Sequence, residues 1–251
     1  MIRNLIILLL LSLSFGIVTD IDGNIYETVH IGSKIWMAEN LKVTHYRNGD
    51  EIPTGYSNAE WADLGSSQSD AYAVYDDDSL NAEIYGNLYN WYAVDNASGI
   101  CPEGWYIPSD DEFKLLEMHL GMSESEADTT YWRGTDEGGK LKEEGLEHWN
   151  SPNTGATNES GFTGLPGGAR SSNAGGYFNR GIAGYFWTST WEYSNDAWHR
   201  IIQFNMSGVA RLPGSKRAGK SVRCITYESE SSTILVPQEF LTIQAAIEAA
   251  S

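Results

Sequence analysis

The chain has 251 residues, 41% hydrophobic and 20% charged, a globular composition with enough apolar material for one large domain or two small ones. Its 34 acidic and 16 basic residues give a formal net charge of −18. Such a surface repels phosphate backbones and anionic headgroups, which argues against nucleic acid and membrane-surface partners.

Residues 1–16 read as a secretory signal peptide. Arg3 supplies the positive start, Leu5 to Leu11 with Leu13 and Phe15 the apolar run, and Ser14 and Gly16 the small residues of a cleavage site. The run is shorter than the ~20 residues of a spanning helix, and no later segment is long and apolar enough to cross a bilayer. The expected location is extracytoplasmic, secreted or at the cell surface. In that setting Cys101 and Cys224 are expected to form a structural disulfide rather than a reactive pair.

Asp20 to Asn24 form a turn, and the alternation from Ile25 to Ile31 predicts a strand that Gly32-Ser33 folds back into a second one at Lys34 to Ala38. Residues 46–82, rich in Gly, Ser, Asn and Asp, read as a long irregular surface excursion. Tyr85, Leu88, Tyr89 and Tyr92 fall at i, i+3, i+4 and i+7, which predicts a short helix. A second helix starts at Ser109, where Glu112 completes a capping box, and ends at Gly121. Residues 134–184 read as loops pinned by isolated aromatics. Three late strands are expected at Tyr185 to Thr190, Trp198 to Phe204 and Ser221 to Ile225. The fold class is α+β: an irregular, loop-rich domain with two short helices and a twisted antiparallel sheet.

Several segments together carry a family resemblance: Trp36 to Leu41, Tyr85 to Trp91, Cys101 to Ser109, Ala156 to Phe162, Leu165 to Arg170, Phe186 to Thr190 and Ser221 to Cys224. In this order they resemble the Fibrobacter succinogenes major paralogous domain, a family of exported bacterial modules, over residues 19–226. More distantly, the start of the second helix and the Ser-Val-Arg-Cys strand look like the formylglycine-generating branch of the C-type-lectin-like fold. The family implies no established reaction. After a polar linker at 227–232, residues 233–251 resemble the opening segment of pectin-lyase-like right-handed β-helices. The coils that would follow are missing here, which implies a piece of a longer exported protein; a free amphipathic C-terminal helix is the alternative.

Formylglycine-type chemistry needs thiols gathered at an active site, and two cysteines committed to one bridge do not supply them. His30, His45, His119, His148 and His199 show no zinc-ligand spacing, and no Gly-x-Ser-x-Gly elbow occurs. Calcium is the cofactor the oxygen-rich loops suit, with Asp20, Asp22 and Asn24, then Asp76, Asp77 and Asp78, then Asn158 and Glu159 as ligands. The same acids also read as turn formers and solvated surface, and no twelve-residue calcium loop is complete. Tyr56, Trp61, Tyr131, Trp132, Tyr177 and Trp191 lie in polar loops and are the expected exposed aromatics of a ligand site. Arg170 and Arg223 are expected to pair with buried carboxylates. The leading expectation is a non-catalytic binding or adhesion module for carbohydrate or protein. A formylglycine-generating-like enzyme and a structural β-helix cap are the alternatives.

Overall fold

The computed structural model describes residues 16–227; the predicted signal up to residue 15, most of the linker and the segment 233–251 lie outside the described residues. Strand β1 (Gly16–Thr19) begins on the last residue of the predicted signal and pairs antiparallel with β2 (Ile25–Ile31). Asp20 shapes the turn between them. Its Oδ1 accepts from the backbone N–H groups of Asp22 and Asn24, at 3.0 and 2.9 Å, and its Oδ2 accepts from the Tyr26 hydroxyl at 2.6 Å. A two-residue turn then leads into β3 (Lys34–Met37), the hairpin that alternation predicts.

The stretch 46–82 is irregular only in part. It contains α1 (Asn58–Ser67), β4 (Tyr72–Ala73) and the start of α2 (Ser79–Tyr85). Ser57 opens α1 with a capping box: its side chain accepts from the Glu60 N–H, and the Glu60 carboxylate accepts from the Ser57 N–H. The helix predicted across Tyr85 and Tyr92 is broken in two places. At Gly86 (φ +72) a Cβ would come within 2.7–2.9 Å of the backbone and side chain at Asn40 and Leu41. Asn90 then caps a new turn, its Oδ1 accepting from the N–H groups of Ala93 and Ala71. The result is β5 (Leu88–Tyr89) followed by α3 (Trp91–Val94). The helical spacing recorded burial of Leu88 and Tyr89, not a helix.

The capping box at Ser109 and Glu112 starts α4 (Asp110–His119) as predicted, with Phe113 and Leu116 buried. Next come α5 (Glu124–Ala127), β6 (Tyr131–Arg133), α6 (Glu137–Leu141), β7 (Gly167–Arg170) and β8 (Tyr177–Arg180), so the region read as loops holds regular elements. Its glycines serve close approach: a Cβ on Gly138 or Gly139 would lie 2.0 or 2.1 Å from the carbonyl oxygens of Gly208 and Gly155. The chain continues through β9 (Ala183–Tyr193), β10 (Asp196–Gln203), β11 (Val209–Ser215) and β12 (Ile225–Tyr227). β9 contains the strand predicted at Tyr185 to Thr190, and β10 covers the one predicted at Trp198 to Phe204 up to Gln203. β11 was not predicted, and β12, expected at Ser221 to Ile225, starts later and takes in Tyr227, the first residue of the predicted linker.

The strands form a sheet of order β1-β2-β3-β12, a larger one of order β6-β11-β10-β9-β7-β8, and the small pair β4-β5. All pairings are antiparallel except β7 with β9. The fold is α+β as expected, with six short helices among the described residues rather than two. Cys101 and Cys224 form the expected disulfide, spanning a separation of 123 residues. Both sit in a buried cluster with Trp91, Trp187, Tyr89 and Tyr26.

Arg223 and Arg170 are buried but do not meet carboxylates. Arg223 donates to Asn40 Oδ1 (2.7 Å) and to the carbonyls of Met37 (3.0 Å), Phe162 and Thr163 (3.0 Å). Arg170 donates to the carbonyls of Gly175 and Tyr56. Loop carbonyls cut off from water need donors, and these guanidinium groups supply them. The buried carboxylates have other partners: Asp110 and Glu117 bind Arg133, Arg200 and Arg211 beneath α4.

Burial, with Lys220 and Arg200 nearby, pushes the His199 imidazole well below its ordinary 6.5. It packs against Tyr185 and Trp187, and its buried Nδ1 has no partner among the described residues. The unfolded chain takes up a proton near pH 6.5 that the folded one does not, so stability falls as pH drops below that value. For this one group the slope reaches about 1.4 kcal/mol per pH unit. Thermal unfolding at pH 7 and pH 5 should show a larger loss in the wild type than in His199→Phe. Equal losses would rule His199 out as the cause.

Candidate functional site

Three of the six aromatics expected to bind a ligand come together, but inward. The Arg170 guanidinium lies 4.4 Å from the Trp61 ring centroid and 4.9 Å from that of Tyr177. Trp61 is fully buried, and Tyr56 and Tyr177 pack half-buried against its cluster. Trp61 is therefore a core residue that pins loops, not an exposed platform. Tyr131 (70% exposed) and Trp132 (37% exposed) lie on the edge strand β6, opposite Arg211 and Ala210. Trp191 is 62% exposed near the end of β9. Tyr193, which the sequence did not single out, is 59% exposed two residues on, across a shift in the β9–β10 register that separates the two residues.

The acids expected for calcium fall in separate loops and bond to their own surroundings. Asp20 holds its turn, with Asn24 Nδ2 donating to it. Asp22 accepts from the N–H and hydroxyl of Thr44 and faces His45 Nδ1 at 2.6 Å. Burial alone would raise its pKa, but these hydrogen bonds outweigh it and hold the carboxyl below its ordinary value. Asp76 lies 4.0 Å from Arg180, Asp77 accepts from the Tyr177 hydroxyl, and Asp78 caps α2. Asn158 clasps Thr163, and the Glu159 N–H meets Thr157 Oγ1. A different set converges: donor atoms of Glu143, Glu147 and His148 lie within 4.8 Å of one another. His148 Nδ1 is already 2.8 and 3.0 Å from the two Glu143 oxygens, so a cation would first have to break that contact.

Four clefts among the described residues are candidates for a ligand. The largest, 520 Å³, is lined by Arg47 together with Asp20 and Glu103. Two others, of 290 and 280 Å³, lie beside Trp105 and Tyr72. The fourth, 260 Å³, is lined by Gly65, Ser66, Tyr92, Asn195, Ser215 and Arg217. None of the four is lined by a histidine.

The fourth cleft joins parts of the chain far apart in sequence. The Lys216 N–H donates to Asn195 O at the β9–β10 turn (2.9 Å), and Lys216 O accepts from the Trp91 N–H at the start of α3 (2.8 Å). Lys216 Nζ donates to Ser194 O (3.1 Å) and lies 4.4 Å from the Trp91 ring centroid and 5.8 Å from that of Trp191. That ammonium ties exposed Trp191 to the wall of the cleft. Arg217 crosses α1 at Gly65, where a Cβ would lie 1.9 Å from its Cδ. Its guanidinium donates to Ala62 O and Asn173 Oδ1, each at 3.3 Å. Burial raises the pKa of Tyr92, with Arg217 pulling against it, so the phenol stays protonated at neutral pH and can donate. The site thus offers hydroxyl, amide and guanidinium groups, with the exposed Trp191 ring linked to it through Lys216.

Of the residues that build it, the sequence singled out Trp191 alone. No local motif marks Tyr92, Asn195, Ser215 or Arg217, because only tertiary contacts bring them together. No curated protein and no solved structure matches the chain. The family model described as the Fibrobacter succinogenes major domain matches residues 29–226, from within β2 to within β12. The chain belongs to the Fibrobacter succinogenes major domain family.

Proposed function

We propose that this domain is a non-catalytic binding module that works outside the cytoplasm and holds polysaccharide at the cleft beside Trp191. The observation that carries this reading is the pair of exposed rings, Trp191 and Tyr193, on a β-hairpin that hydrogen bonds fasten to a polar cleft. Sugar rings stack their C–H faces on aromatic rings while hydroxyls exchange hydrogen bonds with side chains such as Tyr92, Ser66 and Asn195. At 260 Å³ the cleft is slightly smaller than the ~300–1,000 Å³ of typical small-molecule sites, a size that suits one sugar unit of a longer chain. The disulfide supports an oxidising compartment. It also occupies both thiols on which formylglycine-type chemistry would depend.

The test is retention on a panel of immobilised polysaccharides and cell-wall fractions. Trp191→Ala is expected to weaken retention by about tenfold or more. Its melting temperature should stay at the wild-type value, because the ring is mostly solvated. Unchanged retention in this variant would overturn the assignment of the site.

A further inference from the structure

We infer that the sugar in this cleft is acidic, a uronate unit whose carboxylate pairs with Arg217. The inference rests on the binding-module reading of the same cleft and narrows its ligand. The chain carries 34 acids and 16 bases, yet the residues lining this cleft include one ionic group, a guanidinium, and no carboxylate. The larger cleft at Arg47 differs in having Asp20 and Glu103 in its own wall.

Other arginines have firmer partners. Arg133, Arg200 and Arg211 are ion-paired with Glu117 and Asp110, and Arg170 and Arg223 are buried on carbonyls. Arg217 has one carbonyl and one amide oxygen, both at 3.3 Å, beyond the usual length of such bonds. A planar carboxylate fits the guanidinium fork with two parallel hydrogen bonds, a stronger arrangement than either present contact. The preceding residue, Lys216, carries a second positive charge, which Ser194 O holds near Trp91 and Trp191. Two acids interact with this neighbourhood from outside the lining: Asp63 accepts from the Ser66 hydroxyl, and Asp95 feels Lys216. Gly65 keeps the path of the Arg217 stem open, so the charge is held in place before a ligand arrives.

The experiment compares polygalacturonate with its methyl ester, which keeps the backbone and removes the charge, using the full chain. The wild type is expected to bind the acid form about tenfold more tightly at low salt, a margin that shrinks as salt is added. Arg217→Gln should lose the difference between the two forms at an unchanged melting temperature. Gly65→Ala should shrink it by displacing the guanidinium. Equal binding of both forms by the wild type, or a preference that survives Arg217→Gln, overturns the uronate while the binding module stands. No retention on any polysaccharide overturns both.

Discussion

Replacing Asp110 with alanine is expected to cost roughly 3–5 kcal/mol of folding stability, measured by chemical denaturation at neutral pH, because it strands buried positive charge. Asp110 Oδ1 accepts from Arg200 Nη1 at 2.7 Å and Arg211 Nε at 3.0 Å, and Oδ2 accepts from Arg211 Nη2 at 2.7 Å. Arg200 also donates to Glu117 Oε1 at 2.7 Å, and Glu117 Oε2 takes the Arg133 guanidinium. Arg211 stacks over the Trp198 ring, 3.8 Å from its centroid. The network joins α4 to β6, β10 and β11, so its loss loosens a helix and three strands together. Burial pushes the Asp110 pKa up, but Arg211 and Arg200 outweigh burial and hold it below the ordinary 3.8. The folded carboxylate therefore contributes stability that is fully present above about pH 4 and is lost as pH falls through its lowered pKa. The gap between wild type and Asp110→Ala should be constant near neutrality and narrow in acid. A cost under about 1 kcal/mol at pH 7 would mean that the arginines find other partners.

Removing the disulfide is the second large perturbation. Cys101 and Cys224 lie 123 residues apart, and a link closing a loop of that length restricts the unfolded chain by about 4–5 kcal/mol in the chain-entropy account. In the folded state both residues are buried in the cluster beneath Trp91 and Trp187. The double replacement Cys101→Ser and Cys224→Ser is expected to lower the denaturation midpoint sharply, and reduction of the wild type should do nearly the same. Coincident transitions for the oxidised and reduced wild type would show that packing alone fixes β12 against β3. The bridge closes the same end of the domain as Arg223, whose guanidinium binds residues 37, 40, 162 and 163.

Some of this architecture could be read directly from the residues. The β2–β3 hairpin followed from alternation, α4 from its capping box, and the disulfide from cysteine number and the expectation of export. The same capping logic was available at Ser57 and Glu60, but the surrounding Gly, Ser and Asp disguised a helix whose Trp61 is fully buried. Composition also misled around Gly138, Gly139 and Gly168, where glycine marks backbones in close approach rather than loops. The heptad-like spacing at Tyr85 to Tyr92 failed because Gly86 and Asn90 interrupt it, and both do so through contacts with distant segments. The site was least readable. Trp191 stood out as a loop aromatic, but so did Trp61, and only burial separates them. Arg217 gains its meaning from Gly65 and Asn173, which no spacing rule connects to it.

The most direct test of the binding reading is an NMR titration of the isotope-labelled protein with an oligosaccharide taken from whichever polysaccharide retains it. The account predicts that shifts will concentrate on the Trp191 indole N–H, the Arg217 side chain and the backbone amides of residues 194–195 and 215–217, with the buried Trp61 indole unmoved. Shifts centred on the Arg47 cleft or the β6 edge, with Trp191 and Arg217 silent, would contradict it.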